Sequence, residues 1–325
     1  MDLLAQITKT IDVEMIQYNK VFESYLVHSN PLMQAVFNSI IQRRGKMMRP
    51  ILTILSAKLI NGKINENALR SAATLEFFHT ASLIHDDVVD ESDERRGQKA
   101  VHSSYGNKFA VLIGDYILAN SLHCVSQTHN PRLVEVLSVA AQNLAAGEIL
   151  QLSNVRNNML SEDVYFEIIK GKTAALFKAC AEAGAIAVSS DEMAVETMAQ
   201  FGQIVGICFQ IRDDIFDYGH DEAIGKPTGN DMKEGKLTLP AIYAVNTFGD
   251  DTIKDLALKV KEGNVSQDEI DSLVNFTIKH GGIDYAEKVM FEYADKAKRL
   301  LDAFPDSEIK QLLNFYIDYV VNRSL

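Results

Sequence analysis

Residues 68–89 read ALRSAATLEFFHTASLIHDDVV, and residues 90–97 continue DESDERRG. Apolar residues recur at three-and-four spacing along the first part, which is the helical period. They cover most of the circumference, so the helix they form is buried on nearly all sides. Its far end carries Asp86, Asp87 and Asp90. At ~100° per residue, His79, Ser82, Asp86 and Asp90 fall on one stripe, with Asp87 beside it. Aspartate is a poor helix-interior residue, and the C-terminal end of a helix already bears negative charge. Asp86, Asp87 and Asp90 therefore crowd where a helix tolerates them least, and Arg95 and Arg96 follow at once.

The same period runs through LMQAVFNSII, PILTILSAKLI, FAVLIGDYILANSLHCV, RLVEVLSVAAQNLAAGEILQ, VYFEIIKGKTAALFKACAEAGAIAV and MAQFGQIVGICFQIRDDIFDY. Pro50 and Pro131 stand near helix starts, and SEDVYFEII opens with an N-cap serine and acids in its first turn. No alternating strand run is present. Several of these segments are apolar around most of their circumference, which predicts an all-α bundle with buried central helices around a deep apolar cavity. No linker, low-complexity tract or solenoid repeat divides the chain, so a single domain over residues 1–325 is expected. The most loop-like piece is residues 219–240, GHDEAIGKPTGNDMKEGKLTLP.

Composition narrows the function classes. A net charge of −12 and a pI near 5.2 give no global basic signature for nucleic acid. Cys124, Cys180 and Cys208 lie far apart, which disfavours a disulfide framework or a zinc site. The N-terminal MDLLAQITKTIDVEM lacks a basic start followed by an apolar core. No apolar run reaches the ~18 residues that span a bilayer. A cytoplasmic protein without a stable membrane anchor is expected.

A second acidic stripe mirrors the first. In FQIRDDIFDY, residues 209–218, Gln210, Asp213, Asp214 and Asp217 share one helical face. Crowded carboxylates repel one another unless cations stand between them. Hard divalent ions with oxygen ligands meet that need, and Mg²⁺ characteristically links a carboxylate to a phosphate while keeping several waters. The calcium-loop pattern is absent. Glu76 and His79 make a Glu-x-x-His pair, but a di-iron bundle needs two. Basic groups flank both stripes: Arg43, Arg44, Lys46 and Arg49 in RRGKMMRP, Arg95 and Arg96 after the first, Lys226 and Lys236 after the second. Arginine forks and lysine point charges suit phosphate. A metal-lined polar mouth over an apolar interior calls for a substrate with a polyanionic head and a hydrocarbon tail.

The ordered set GKMMRP, EFFHTASLIHDDVVDESDERRG, GDYILA, GEILQL, KTAALF, FQIRDDIFD and GKPTGNDMKEGKLTLP resembles the trans-isoprenyl diphosphate synthases, or polyprenyl synthetases, over roughly residues 40 to 325. It is most similar to the long-chain branch of octaprenyl type that makes quinone side chains. The resemblance implies an all-α dimerising fold. It implies Mg²⁺-dependent head-to-tail condensation of isopentenyl diphosphate onto an allylic diphosphate such as farnesyl diphosphate. Three Mg²⁺ ions would be held by Asp86, Asp87 and Asp90 with Asp213, Asp214 and Asp217. Arg95, Lys172, Gln210, Lys226 and Lys236 would contact the allylic diphosphate. Lys46, Arg49, His79 and Arg96 would bind isopentenyl diphosphate. The Lys172 carbonyl, Thr173 and Gln210 would face the carbocation. A homodimer is implied, with transient membrane contact for release of an insoluble product.

The resemblance also bears on product length. Bulky residues four and five positions before the first aspartate block short tunnels in the family, and here Ser82 and Ala81 are small. A long all-trans product is expected, with Cys124, Val125 and Leu137 near the tunnel floor. A geranylgeranyl-type synthase and a non-catalytic subunit of a heteromeric synthase are the alternatives.

Overall fold

A computed structural model describes residues 3–42, 44–95, 97–155, 160–219 and 229–323, with the side chains of 154 and 155 left aside. The class is all-α, as the periodicity predicts. In chain order the helices are α1 (Leu3–Thr10), α2 (Asp12–Ser24), α3 (Pro31–Gln42), α4 (Met48–Asn61), α5 (Glu66–Val89), α6 (Val101–Tyr105), α7 (Asn107–Ser126) and α8 (Pro131–Val155). There follow α9 (Glu162–Ile169), a π-turn (Lys170–Ala174), α10 (Ala175–Val188), α11 (Glu192–Phe216), α12 (Asn230–Lys233) and α13 (Leu239–Phe248). The last are α14 (Asp251–Lys261), α15 (Gln267–Lys279), α16 (Gly282–Leu300), a 3₁₀ turn (Leu301–Ala303) and α17 (Glu308–Asn322). Two short strands, β1 (Glu94–Arg95) and β2 (Gln98–Lys99), pair antiparallel. Two residues per strand are too few to leave a periodic signal.

The chain forms two compact units, and four of the divisions fall inside α8, α10, α11 and α17. The first unit comprises Met1–Ala141, Leu176–Gly202 and Phe304–Leu313. Its centre is α4 and α5. Asn65 caps α5 by accepting from the Ala68 amide at 2.9 Å. From Ala68 to Phe78 every α5 residue except Arg70 and Glu76 is buried, the all-round burial its sequence foretold. Beyond His79 only Ala81, Ile84 and Asp87 stay buried, so the helix emerges from the core as it reaches the aspartates. Phe22 on α2 stacks on Phe77 of α5 at 4.5 Å, and a full side-chain burial of this kind stabilises by about 1.5–3 kcal/mol. Close packing of α10 on α4 depends on Gly184, where a Cβ would lie 2.3 Å from the Thr53 carbonyl oxygen.

The second unit comprises Gln142–Ala175, Gln203–Ala303 and Asn314–Leu325. One of its apolar clusters joins Tyr218, Ala241 and Val245 to Val260, Leu273 and Val274, so that α13, α14 and α15 share a core. The segment expected as one helix over residues 164–188 is instead α9 and α10 joined by the π-turn. A π-turn adds a residue to the helical circuit, and such widenings concentrate at functional sites. Here Gly171 within it meets Gly147 of α8. A Cβ on Gly147 would fall 2.5 Å from the Lys172 amide nitrogen, so only glycine permits that approach.

Two helices, α7 and residues 131–153 of α8, are long and apolar enough to cross a membrane by length and composition. Asp115, Asn120, Arg132 and Glu135 break any uninterrupted apolar run in them without making either helix polar. Only 39% and 22% of their most apolar windows are buried.

Candidate active site

In the first unit, Asp86 and Asp87 occupy the last turn of α5 and Asp90 is its C-cap. Asp86 is half-buried, Asp87 only 4% exposed, and Asp90 exposed. Glu91 follows with φ +51°, a left-handed conformation that ends the helix at a strain cost for a residue other than glycine. The chain then turns into the β1–β2 pair, which presents Arg95 to Asp87; Arg95 Nε donates to Asp87 Oδ1 at 2.5 Å. Arg96 lies outside the described residues. The residues 44–47 preceding α4 carry Lys46, exposed, and end on Met47 at φ +55°. Arg44 fixes this loop by bonding Asn19 and Glu23 of α2. Arg49 lies in the first turn of α4, its guanidinium 5.1 Å above the Phe177 ring, and its buried Nε has no hydrogen-bond partner among the described residues. His79 is half-buried midway along α5.

In the second unit the π-turn brings Lys172 and Thr173 to a cavity of about 130 Å³. Tyr165, Gln210, Asp214 and Lys236 line it as well. Thr173 Oγ1 donates to Gln210 Oε1 at 2.6 Å, and Gln210 Nε2 donates to Asp214 Oδ1 at 2.8 Å. Tyr165 donates its hydroxyl proton to Asp214 Oδ2 at 2.6 Å. The Lys172 ammonium pairs with Glu148 Oε2 at 2.6 Å and reaches Gln151 Oε1 at 3.4 Å. Asp213 accepts from Arg323 at 2.6 Å. Asp217 accepts the backbone amides of Asn230 and Asp231 at 2.9 and 3.0 Å, which ties α12 to the end of α11. Lys236 pairs with Glu234. Lys226 lies outside the described residues.

This concentration of acid shapes the electrostatics. Burial, and then the neighbouring Asp231, push the Asp214 carboxyl well above its ordinary range. Burial raises Asp217, while the two backbone amides oppose it. Asp231 is pushed up to about 7, chiefly by burial and then by Asp217. Burial lowers Lys261, a 3%-exposed lysine on the cavity wall.

The residues assigned to tail length lie in the first unit's core. Ala81 is 2% exposed, and the Ser82 hydroxyl turns back onto the His79 carbonyl at 2.9 Å. Cys124, Val125 and Leu137 are buried. Cys124 Sγ approaches the Arg70 carbonyl at 3.5 Å. Arg70 precedes Asp86 by sixteen residues, so this contact lies about 24 Å along the α5 axis from the first aspartate.

The donor set fits Mg²⁺. Both stripes offer carboxylate oxygens, the ligands of a hard cation. Among the described residues no three aspartate, glutamate, histidine or cysteine side chains converge on one point. Mg²⁺ does not need such a cage, because it takes one or two carboxylates and completes its shell with water and phosphate oxygens.

Reading the sequence passed over several residues found here. Glu148 and Gln151 belong to GEILQL, and Asp231 to GKPTGNDMKEGKLTLP, so their motifs were visible although their roles were not. Tyr165, Lys261 and Arg323 carry no local signal, because only folding brings them to the site.

Comparison with known proteins bears on all of this. The family model described as polyprenyl synthetase matches residues 30–277. An octaprenyl diphosphate synthase of Haemophilus influenzae is 35% identical over 309 residues, covering 95% of this chain and 93% of that protein. A crystal structure described as geranylgeranyl pyrophosphate synthase from Bacteroides thetaiotaomicron is 46% identical, covers 99% of this chain and 100% of that one, and superposes with a TM-score of 0.87. A polyprenyl synthase from Caulobacter crescentus, solved in complex with calcium and isoprenyl diphosphate, is 33% identical with 98% of both chains covered and a TM-score of 0.91.

Proposed function

The chain belongs to the polyprenyl synthetase family and is a prenyltransferase that elongates prenyl chains, and from that premise we propose that it condenses isopentenyl diphosphate head-to-tail onto farnesyl diphosphate to give a long all-trans polyprenyl diphosphate for a quinone side chain. The observation that carries the assignment is the cavity of the second unit. Lys172, Thr173, Gln210, Asp214 and Lys236 come from three separate motifs and line one space.

The six aspartates divide their work. Asp87 and Asp214 are buried and Asp217 half-buried, and each accepts hydrogen bonds from the protein. They hold the acidic helix ends in shape. Asp86 and Asp213 are half-buried, Asp213 bonded to Arg323, and Asp90 is exposed; these three would hold Mg²⁺ together with Asp87, Asp214 and Asp217. Bound Mg²⁺ supplies neutralisation of the charge that develops on the departing diphosphate. Lys172, Lys226, Lys236 and Arg95 bind the oxygens of that diphosphate, and Lys46, Arg49, His79 and Arg96 bind isopentenyl diphosphate. The orphaned Arg49 Nε is a donor in want of such an acceptor. As the allylic C–O bond breaks, the oxygens of Thr173, Gln210 and the Lys172 carbonyl face the positive charge. An enclosed site keeps water from the cation. The double bond of isopentenyl diphosphate attacks, and the released diphosphate takes the proton.

The tail grows along α5 past the small Ala81 and Ser82 toward Cys124, with Val125 and Leu137 near the floor. The enzyme works in the cytoplasm as a homodimer, with transient membrane contact at product release. In the first unit α7 exposes Leu112 and Leu122, at 67% and 55%, and α8 exposes Val139 at 44%, an apolar surface that a second copy would cover.

The deciding experiment incubates pure protein with Mg²⁺, farnesyl diphosphate and isopentenyl diphosphate and follows the products by mass spectrometry. A ladder of prenyl diphosphates extending beyond geranylgeranyl is expected. A ladder that stops at geranylgeranyl overturns the long-chain assignment alone, and no elongation overturns the catalytic one.

A further inference from the structure

Four side chains in the second unit make one continuous hydrogen-bonded chain, Tyr165–Asp214–Gln210–Thr173, with links of 2.6, 2.8 and 2.6 Å. They come from α9, α11 and the π-turn, and all four line the same cavity. Three of them belong to motifs already tied to the reaction. Tyr165 does not.

The chain has a direction. Both Asp214 oxygens accept, one from the Tyr165 hydroxyl and one from the Gln210 NH₂, so the amide turns its nitrogen to Asp214 and its oxygen away. That oxygen then meets the Thr173 hydroxyl, which donates to it. With the amide reversed, its oxygen would lie against the Asp214 oxygen, two acceptors in contact. The orientation of the Gln210 dipole therefore depends on how Asp214 is held. Asp214 has two oxygens and can rotate about its terminal bond. Gln210 engages one oxygen, and the Tyr165 hydroxyl pins the other. Tyr165 is itself only 5% exposed and sits edge-on to Phe166 at 5.3 Å, so its ring is fixed by packing.

We propose that Tyr165 is a positioning residue for prenyl transfer: its hydroxyl locks the Asp214 carboxylate, which in turn fixes the Gln210 amide with its oxygen toward Thr173 and the reacting centre. This rests on the reading that Thr173 and Gln210 face the developing cation. The phenol acts through Asp214 rather than on the reacting atoms. Its contribution is to hold a dipole in one direction before the bond breaks, and misdirected dipoles cost rate rather than affinity.

The test is a double-mutant cycle on the full chain with Tyr165→Phe, Gln210→Leu and the pair. Farnesyl and isopentenyl diphosphates are the substrates, and melting temperature and circular dichroism certify each fold. Tyr165→Phe should lower kcat about tenfold and leave both KM values within about twofold. In the Gln210→Leu background the same substitution should cost less than about threefold, because its route of action has gone. In the metal-free protein, the Gln210 side-chain amide resonances, assigned by their loss in Gln210→Leu, should shift in Tyr165→Phe while the backbone spectrum is kept. Additive losses, an unchanged kcat, or a rise in KM alone overturn the proposal. If Gln210→Leu itself keeps wild-type kcat, the reading of the reacting centre fails instead, and the proposal with it. Should Tyr165→Phe not fold, Tyr165→His retains a ring with an N–H donor. In that case Tyr165→His must exceed Tyr165→Leu in kcat, and equal rates overturn the proposal.

Discussion

Asp86 and Asp87 are adjacent in sequence and alike in chemistry, yet the fold sets them different tasks. Asp87 is buried against Arg95, while Asp86 is half-buried on the stripe that leads to Asp90. Removing Asp86 should abolish most turnover with the melting temperature nearly unchanged, whereas removing Asp213 should abolish turnover and also cost stability, because its partner Arg323 is only 10% exposed. Asp87→Ala strands a guanidinium and opens a buried site, so it should also cost stability, about 1–3 kcal/mol by chemical denaturation. Equal effects on stability for Asp86→Ala and Asp87→Ala would refute this division. A second residue-scale consequence concerns pH. Asp231 is raised to about 7 in the fold from about 3.9 in the unfolded chain. The folded state therefore favours its neutral form. Its stabilising contribution is complete below the unfolded value and is lost as pH rises from about 4 to about 7. With metal chelated, Asp231→Asn should gain melting temperature relative to the wild type across that window and no further above it. A difference independent of pH would show that Asp231 is not the group responsible.

Among the elements, the join of α9 and α10 is the one whose form the sequence disguised. Its apolar period resumes after KGKT, residues 170–173, and so short a polar interruption does not by itself mark a π-turn. The cause is Gly147, which brings the α8 backbone against the Lys172 amide. Gly147→Ala would thrust a methyl group at the rigid backbone of Gly171 and Lys172. It should destabilise by about 1–3 kcal/mol and reduce kcat by more than its stability loss explains, since Lys172 and Thr173 ride on the displaced turn. Wild-type kcat in a folded Gly147→Ala protein would separate the π-turn from catalysis. Helix ends were more legible. Asn65, Ser161 and Ser266 each cap a helix with a side-chain oxygen, and Ser266 with Glu269 completes a capping box. Capping is local chemistry and so is written locally.

Two consequences belong to the whole molecule. If α7 and α8 pair with a second copy, Leu112→Glu combined with Leu122→Glu should shift the protein toward monomer in sedimentation analysis. An unchanged sedimentation profile would place the dimer contact elsewhere. Tail length depends on what fills the interior beside α5. Ala81→Phe should shorten the product, and Ser82→Phe is the companion should the buried Ala81 site reject a ring. An unaltered chain-length distribution in both folded variants would move the tail off this path.

Periodicity by itself determined the all-α class, because apolar spacing must match the 3.6-residue turn for a helix to bury its face. The two acidic stripes were equally legible, since four-residue spacing on a helix fixes which carboxylates share a side. The tertiary structure decided what those carboxylates touch. Arg95 on Asp87, Arg323 on Asp213 and Tyr165 on Asp214 join residues 8, 110 and 49 positions apart. No local pattern encodes such meetings, because they depend on how helices and turns pack. Packing likewise separates aspartates of one motif into buried and exposed, which a repeated DDxxD cannot do alone.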